Sequence, residues 1–209
     1  MTAVQERTRF PAMPEAPGAA RLPDLSPAGL PGAVPVLPAA AEAPIARAGE
    51  LSVSVAASPA AIERALRLRH QVFVGELGAS GAAPDGIERD IFDPYCRHLV
   101  VDDHASGRVV GTYRVLMPEQ ARLLGCLYAD REFWLTRLNP LRDSIVELGR
   151  ACVHPDYRTG AAIMLLWSGI GALLASCGHR YLLGCVSVPV ADGGAYAARL
   201  YETLARRHL

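Results

Sequence analysis

The sequence predicts one α/β (α+β) domain with a central mixed sheet flanked by helices. Two observations lead there. Segments of strand period alternate along the chain with apolar stripes of helical period. Residues 144–160 run from an apolar strand carrying Glu147, through His154 and Pro155, into a short Arg158-Thr159-Gly160 turn that opens a long apolar helix. With 209 residues the chain is long enough for one sizeable core.

Composition narrows the setting. Lys and Arg number 21 and so do Asp and Glu, so the net charge is zero and gives no argument for a nucleic-acid partner. Five cysteines (Cys96, Cys126, Cys152, Cys177, Cys185) are odd in number and form no C-x-x-C pair, which suits a reducing cytosol. The histidines show no metal spacing, and no metal is expected.

Taken in order, residues 1–48 carry Pro11, Pro14, Pro17, Pro23, Pro27, Pro31, Pro35, Pro38 and Pro44, too many for helix or ladder. A disordered Ala/Pro-rich tail is expected there, with the folded domain over 49–209. The start has no apolar run after a basic segment, so no secretory signal is expected and the protein is placed in the cytoplasm.

Residues 51–55 alternate as a half-buried strand. Ser58 as N-cap and Pro59 at the first helical position open a helix whose stripe (Ile62, Ala65, Leu66, Val72, Phe73) reaches about Leu77. Residues 78–86 are a loop. Residues 98–102 and 108–116 form a hairpin around Ala105-Ser106-Gly107. A mixed segment over 117–141 follows, with Phe133, Trp134 and Leu135 expected inside. After the Glu147 strand come a helix over 160–177, a strand over 181–188 and a final amphipathic helix over 195–207. No charged residue lies between Gly160 and Gly178, almost a membrane span in length. Ser168, Gly169 and Gly171 dilute it, and the flanking strands predict burial against a sheet instead.

The chemistry gathers in this frame. A helix N-terminus offers unpaired N–H groups and a partial positive charge, so the turn at Arg158, Thr159 and Gly160 suits a phosphate, and Gly160 lets a ligand approach the backbone. Glu147, set among apolar strand residues, is a candidate base because burial raises a carboxyl pKa. It can also be read as a buried partner of Arg150, and the two readings are compatible if the pair also orients the substrate. In a regular strand Glu147 and Arg150 would face opposite ways. Gly149 between them predicts a bulge that would turn an N–H towards a reacting carbonyl. Cys152 has nothing that supports a thiolate and is read as buried structure.

The segment Val153-His154-Pro155-Asp156-Tyr157-Arg158-Thr159-Gly160-Ala161 resembles the acyl-donor loop of the GCN5-related N-acyltransferases (GNAT), which implies that superfamily's fold. The superfamily loop is usually Arg-x-x-Gly-x-Gly/Ala, and this one is a residue shorter before its glycine. Two carrier-protein-dependent groups are nearer. Arg69, Phe73, Asp90, Asp93, Arg114, Glu147 and Arg150 resemble the pattern of acyl-homoserine-lactone synthases, although the Trp expected near Ala79 is absent. The strings at 68–73, 88–96, 111–114, 147–158 and 183–187 resemble the L-ornithine N-alpha-acyltransferases of ornithine-lipid synthesis.

The second resemblance implies transfer of a 3-hydroxylated acyl chain from acyl carrier protein to the α-amine of L-ornithine, in lipid biosynthesis. It implies no cofactor beyond the carrier's 4'-phosphopantetheine as donor arm, held by Val153, Arg158, Thr159, Gly160 and Ala161. Glu147, Arg150 and Tyr201 become the catalytic set, since Tyr201 sits where many relatives place a Tyr that protonates the leaving thiolate. Arg69, Phe73, Asp90, Asp93 and Arg114 become the substrate set. Arg69 or Arg114 would fork the carboxylate, and Asp90 or Asp93 would take the cationic end. Arg64, Arg67, Arg158, Arg206 and Arg207 are candidates for a basic face towards an acidic carrier. Peripheral membrane contact would suit the lipid product. The alternatives are an acyl-homoserine-lactone synthase and a silent carrier-binding sensor. The family pattern continues with more strand-forming sequence past the last helix, so the C-terminal hairpin of the sheet is expected to be missing here.

Overall fold

The computed structural model describes residues 43–79 and 85–208. Most of the proline-rich segment, and Gly81 and Pro84 of the 78–86 loop, lie outside them. The strands are β1 (Ala46–Ala48), β2 (Leu51–Val55), β3 (Arg97–Asp103), β4 (Arg108–Leu116), β5 (Ile145–Val153) and β6 (Tyr181–Gly184). They form one sheet in chain order, antiparallel from β1 to β5 and parallel between β5 and β6. The sheet thus begins before the expected boundary at residue 48, because Ala46 pairs with Val53.

Helix α1 (Pro59–Arg69) starts as its residues dictate: the Ser58 side chain accepts the Ala61 N–H at 3.2 Å and Pro59 takes the first turn. Beyond Arg69 the expected helix widens into a π-helical segment (His70–Glu76), where the Leu77 N–H reaches back five residues to the Val72 carbonyl. Such wide turns recur at functional sites. Here it brings Phe73, Val74 and Leu77 to a cavity described below.

Helix α3 (Ala161–Cys177) makes the parallel crossover from β5 to β6. It buries Leu165, Leu166 and Ile170 against Val53, Leu99, Val101 and Val110. Val100 and Val109, on the alternate positions, pack with Ala61, Ala65 and Leu68 of α1. The period of two in β3 and β4 therefore gives one helix to each face of the sheet. The uncharged stretch packs on the sheet, and among the described residues no helix is long and apolar enough to cross a membrane.

A third cluster closes one end of the sheet. Phe92, Tyr95 and Cys96 meet Leu116, Ile145 and three residues of the 117–141 segment, Leu124, Cys126 and Leu127. That segment comprises α2 (Pro118–Leu124) and short 3-10 turns, as its mixed pattern suggested. One expectation fails here. Phe133 and Trp134 are 56% and 57% exposed, because the inward positions are filled by Leu124, Leu127 and Ala129 before the chain reaches them. The final helix, α4 (Ala195–His208), forms where expected but buries no residue.

Gly169 shows how tightly α3 lies on the sheet: a Cβ there would come within 3.1 Å of both Leu99 and Val53, which are fully buried and have nowhere to move. Gly169→Val is expected to destabilise the domain by about 1–3 kcal/mol through overpacking, despite the better helix propensity of valine. The shift in urea midpoint at unchanged slope measures it.

Candidate active site

The site is built on a break in β5. Thr112 of β4 pairs with Cys152, but Arg114 pairs with Gly149, so Arg150 and Ala151 together face Tyr113. This is the bulge expected at Gly149. Its extra residue is Arg150, at φ 50°, the one non-glycine residue with a positive φ among those described. A left-handed conformation costs a side-chain-bearing residue about 1–2 kcal/mol, so neighbouring contacts must hold it.

β6 follows β5 only as far as the pair Leu148 and Gly184. The strand expected to reach Val188 ends there, because past the bulge β5 no longer presents a regular ladder. The two strands part, and Cys185, Val186 and Ser187 face Leu148–Ala151 across a cavity of about 570 Å³ whose far wall includes Phe73, Val74, Leu77 and Tyr113. A smaller cavity, about 90 Å³, continues from it along Leu148, Gly149 and Arg150 to Phe92, Arg114, Tyr128 and Glu147. At the other end, Ala151 is shared with a third cavity of about 290 Å³, lined by Val153, Tyr157, Arg158 and Gly160. Phe73, Glu147, Arg150, Arg114 and the donor-loop residues Val153, Arg158 and Gly160 thus line three neighbouring cavities that share wall residues along β5.

Three arginines and three acids are interlocked beside it. Arg69 is 0% exposed. It donates to both oxygens of Asp93, at 2.6 and 3.1 Å, and its Nε donates to Glu88. Arg114 donates to Asp90 at 2.6 Å and to Asp93 at 3.1 Å, and lies 5.7 Å from the ring centres of both Phe92 and Tyr128. Arg150 sits more loosely, its Nε 3.2 Å from Glu88, its Nη2 3.6 Å from Asp90 and its guanidinium 5.3 Å from the Tyr128 ring. Burial pushes the Asp93 carboxyl up, but the Arg69 hydrogen bonds with the charges of Arg69 and Arg114 outweigh it and hold the group below its usual range.

This corrects two of the substrate contacts expected from sequence. Arg69 and Asp93 are buried and saturate each other, so neither presents a free group to a ligand. Arg114 lines the small cavity with Asp90 as its partner, and the side chain with donors left free is Arg150, 30% exposed.

Glu147 is buried at the end of that cavity. Its oxygens accept the N–H groups of Tyr128 at 2.6 Å and Ala129 at 2.7 Å, pinning the 117–141 segment to the sheet. Burial pushes its carboxyl up, and the two N–H groups and the Arg114 charge pull it back, leaving it raised. A carboxyl raised in this way is a stronger base than an ordinary one. It is not directly paired with Arg150.

On the donor side, Gly160 caps α3 at φ 103°, which leaves the first N–H groups of the helix open beside Thr159 and Ala161. The Arg158 guanidinium is already forked onto Glu76 at 2.7 Å twice, so the cradle rests on backbone more than on this side chain. Arg64 and Arg67 are likewise tied to Asp102 and Glu63.

Tyr201 is not brought to the site. It lies 66% exposed on α4, and neither cavity beside Glu147 includes it in its walls. Cys152 is buried as read, its thiol pushed up to about 12 by desolvation. Two site residues escaped the sequence reading. Glu88 stood in the acidic string at 88–93, where spacing singled out only Asp90 and Asp93. Tyr128 lies in a segment without periodicity, where no pattern marks it.

Removing one member of the buried network should be costly. Arg69→Met strands Asp93 and Glu88 without their main partner, and a loss of about 3–5 kcal/mol in unfolding free energy is expected by chemical denaturation.

Residues 68–168 match the acetyltransferase (GNAT) domain family. Over 155 residues the chain is 38% identical to an L-ornithine N(alpha)-acyltransferase of Rhodobacter capsulatus, covering 70% of this chain and 58% of that one. Over 149 residues it is 37% identical to the enzyme of the same name from Brucella abortus, covering 66% and 53%. The chain therefore spans little more than half the length of the curated relatives it matches. Among solved structures, a CoA-dependent acyl-homoserine lactone synthase with SAM and isopentyl-CoA is 24% identical, covering 66% of this chain and 64% of that one at a TM-score of 0.48. The bulged strand, the start of the helix after it and the cleft they build all fall within or beside residues 68–168, the stretch of this chain that carries the acetyltransferase (GNAT) domain match.

Proposed function

We propose that this domain transfers a long 3-hydroxylated acyl chain from acyl carrier protein to the α-amine of L-ornithine, forming lyso-ornithine lipid. The observation that carries the reading is the row of neighbouring cavities along β5: a buried carboxylate at one end, an open cleft at the bulge and a helix N-terminus at the other. Proteins 37–38% identical over most of this chain bear the name of that activity.

The chemistry follows from the geometry. The carrier's phosphopantetheine lays its phosphate on the open N–H groups at the start of α3, where the dipole favours an anion. Its thioester then lies in the cleft beside Gly149 and Ala151, with Phe73, Leu77 and Val186 offering apolar surface to the acyl chain. Ornithine enters the small cavity as an ammonium. Glu147 takes one proton, directly or through a water, and the freed amine attacks the thioester carbon. The oxygen gains charge and is met by an N–H freed from the ladder at the bulge. Collapse breaks the C–S bond, and the proton shed by the new amide nitrogen goes to the thiolate. Asp90, beside Arg114 and Arg150, faces the cationic side-chain end. The reaction is placed in the cytoplasm, with the acylated product handed to the membrane surface.

Incubation of the purified chain with 3-hydroxyacyl carrier protein and L-ornithine should give acyl-ornithine, read by mass spectrometry. Methylthioadenosine released from S-adenosylmethionine in the same assay would identify a lactone synthase instead and overturn the proposal.

Glu147 must be ionised to act, and its carboxyl is raised by burial. The rate should therefore climb with pH through an apparent pKa above the usual carboxylate range and fall away as acid protonates the base. Glu147→Gln should lower kcat by about 10²–10⁴-fold and abolish that ascending limb.

A further inference from the structure

We infer that Glu88 is a positioning residue that holds Arg150 as the receptor for the α-carboxylate of the acceptor, which makes the site one for α-amino acids rather than for simple amines. The inference rests on the proposed function and concerns how its acceptor is chosen.

The argument begins with which cation is free to bind an anion. Arg69 is fully buried and spent on Asp93 and Glu88. Arg114 is 4% exposed, and its Nη1 is shared between Asp90 and Asp93. Arg150 lines both the small cavity and the cleft, and its side chain is 30% exposed. Its contact with Asp90, at 3.6 Å, is too long for a hydrogen bond, so its two Nη groups keep their donors for a ligand. Two Nη groups side by side match a carboxylate fork.

What keeps Arg150 there is Glu88. One Glu88 oxygen is bound by Arg69 in the core, and the other lies 3.2 Å from Arg150 Nε. Glu88 is thus anchored from behind and holds the arginine electrostatically, as an ion pair without hydrogen-bond geometry, at the one nitrogen a carboxylate fork at the two Nη groups does not need. Its backbone is held as well, with its N–H donating to the Leu66 carbonyl at 3.2 Å. The grip acts on a residue with a strained backbone at φ 50°, which has no low-cost alternative way to keep its side chain in the cavity. The Tyr128 ring, 5.3 Å away, supports the guanidinium from one side.

The test compares two acceptors on the full chain: L-ornithine and 1,4-diaminobutane, which is ornithine without its carboxylate. The wild-type protein should prefer ornithine. Glu88→Gln should lower kcat/KM for ornithine about tenfold, mostly through KM, and lower that for the diamine by much less, so that the preference shrinks about tenfold. A purely structural role would lower both alike. Arg150→Lys keeps the charge but loses both the Nε ion pair with Glu88 and the fork. It should shrink the preference to a similar extent, and it carries the test if Glu88→Gln does not fold. A wild-type protein without preference, or an unchanged preference in either folded variant, overturns the inference and leaves the proposed reaction standing. A wild-type protein that acylates neither amine overturns both.

Discussion

The extra residue in β5 is the constraint on which the rest of the site depends. A parallel pair needs evenly spaced hydrogen bonds along both strands, and β5 supplies them only from Ile145 to Leu148. At Gly149 and Arg150 the spacing is lost, and β6 has no partner to follow beyond Gly184. The strands separate where a thioester would need room, and the α3 N-terminus opens one turn further along the same strand. One inserted residue therefore produces a cleft, a displaced arginine and free backbone groups together.

Holding that bulge requires charge in a place where charge is expensive. Arg69, Arg114 and Arg150 stand against Glu88, Asp90 and Asp93, and the first two arginines are almost wholly out of water. Desolvating such groups costs several kcal/mol each, which mutual pairing offsets without a large surplus. A core of leucines could fill the same volume at least as stably. What the ions supply is direction: Asp93 joins α1 to β4 through Arg69 and Arg114, and Glu88 passes that rigidity on to Arg150. The order of burial, complete at Arg69 and partial at Arg150, is also the order of approach to the cavity.

Much of this was legible in the residues, for reasons that can be named. The hairpin of β3 and β4 carries its alternation openly, α1 announces itself through Ser58 and Pro59, and Gly149 between Glu147 and Arg150 marks the bulge. Long-range pairing left no such mark. Arg69 and Asp93 are 24 positions apart, and nothing local says that they consume each other instead of a ligand. Phe133 and Trp134 look like core residues because their hydrophobicity is local information, whereas the space already taken by Leu124 and Leu127 is not. Tyr201 was placed by family likeness, and a helix that buries no residue does not carry it to the cavity.

Glu147 shows why a structural and a chemical role need not compete. Two N–H groups from residues 128 and 129 fix its carboxylate, which for an exposed acid would only lower basicity. Here burial outweighs them, and the net effect is a carboxyl raised above its ordinary range yet unable to rotate away. A base must be both oriented and sufficiently basic. The same contacts that tie the 117–141 segment to the sheet supply the orientation, and the apolar surroundings of β5 supply the basicity. Disrupting that segment would therefore reach the chemistry through the direction of one carboxylate, even where no residue of the segment touches a substrate.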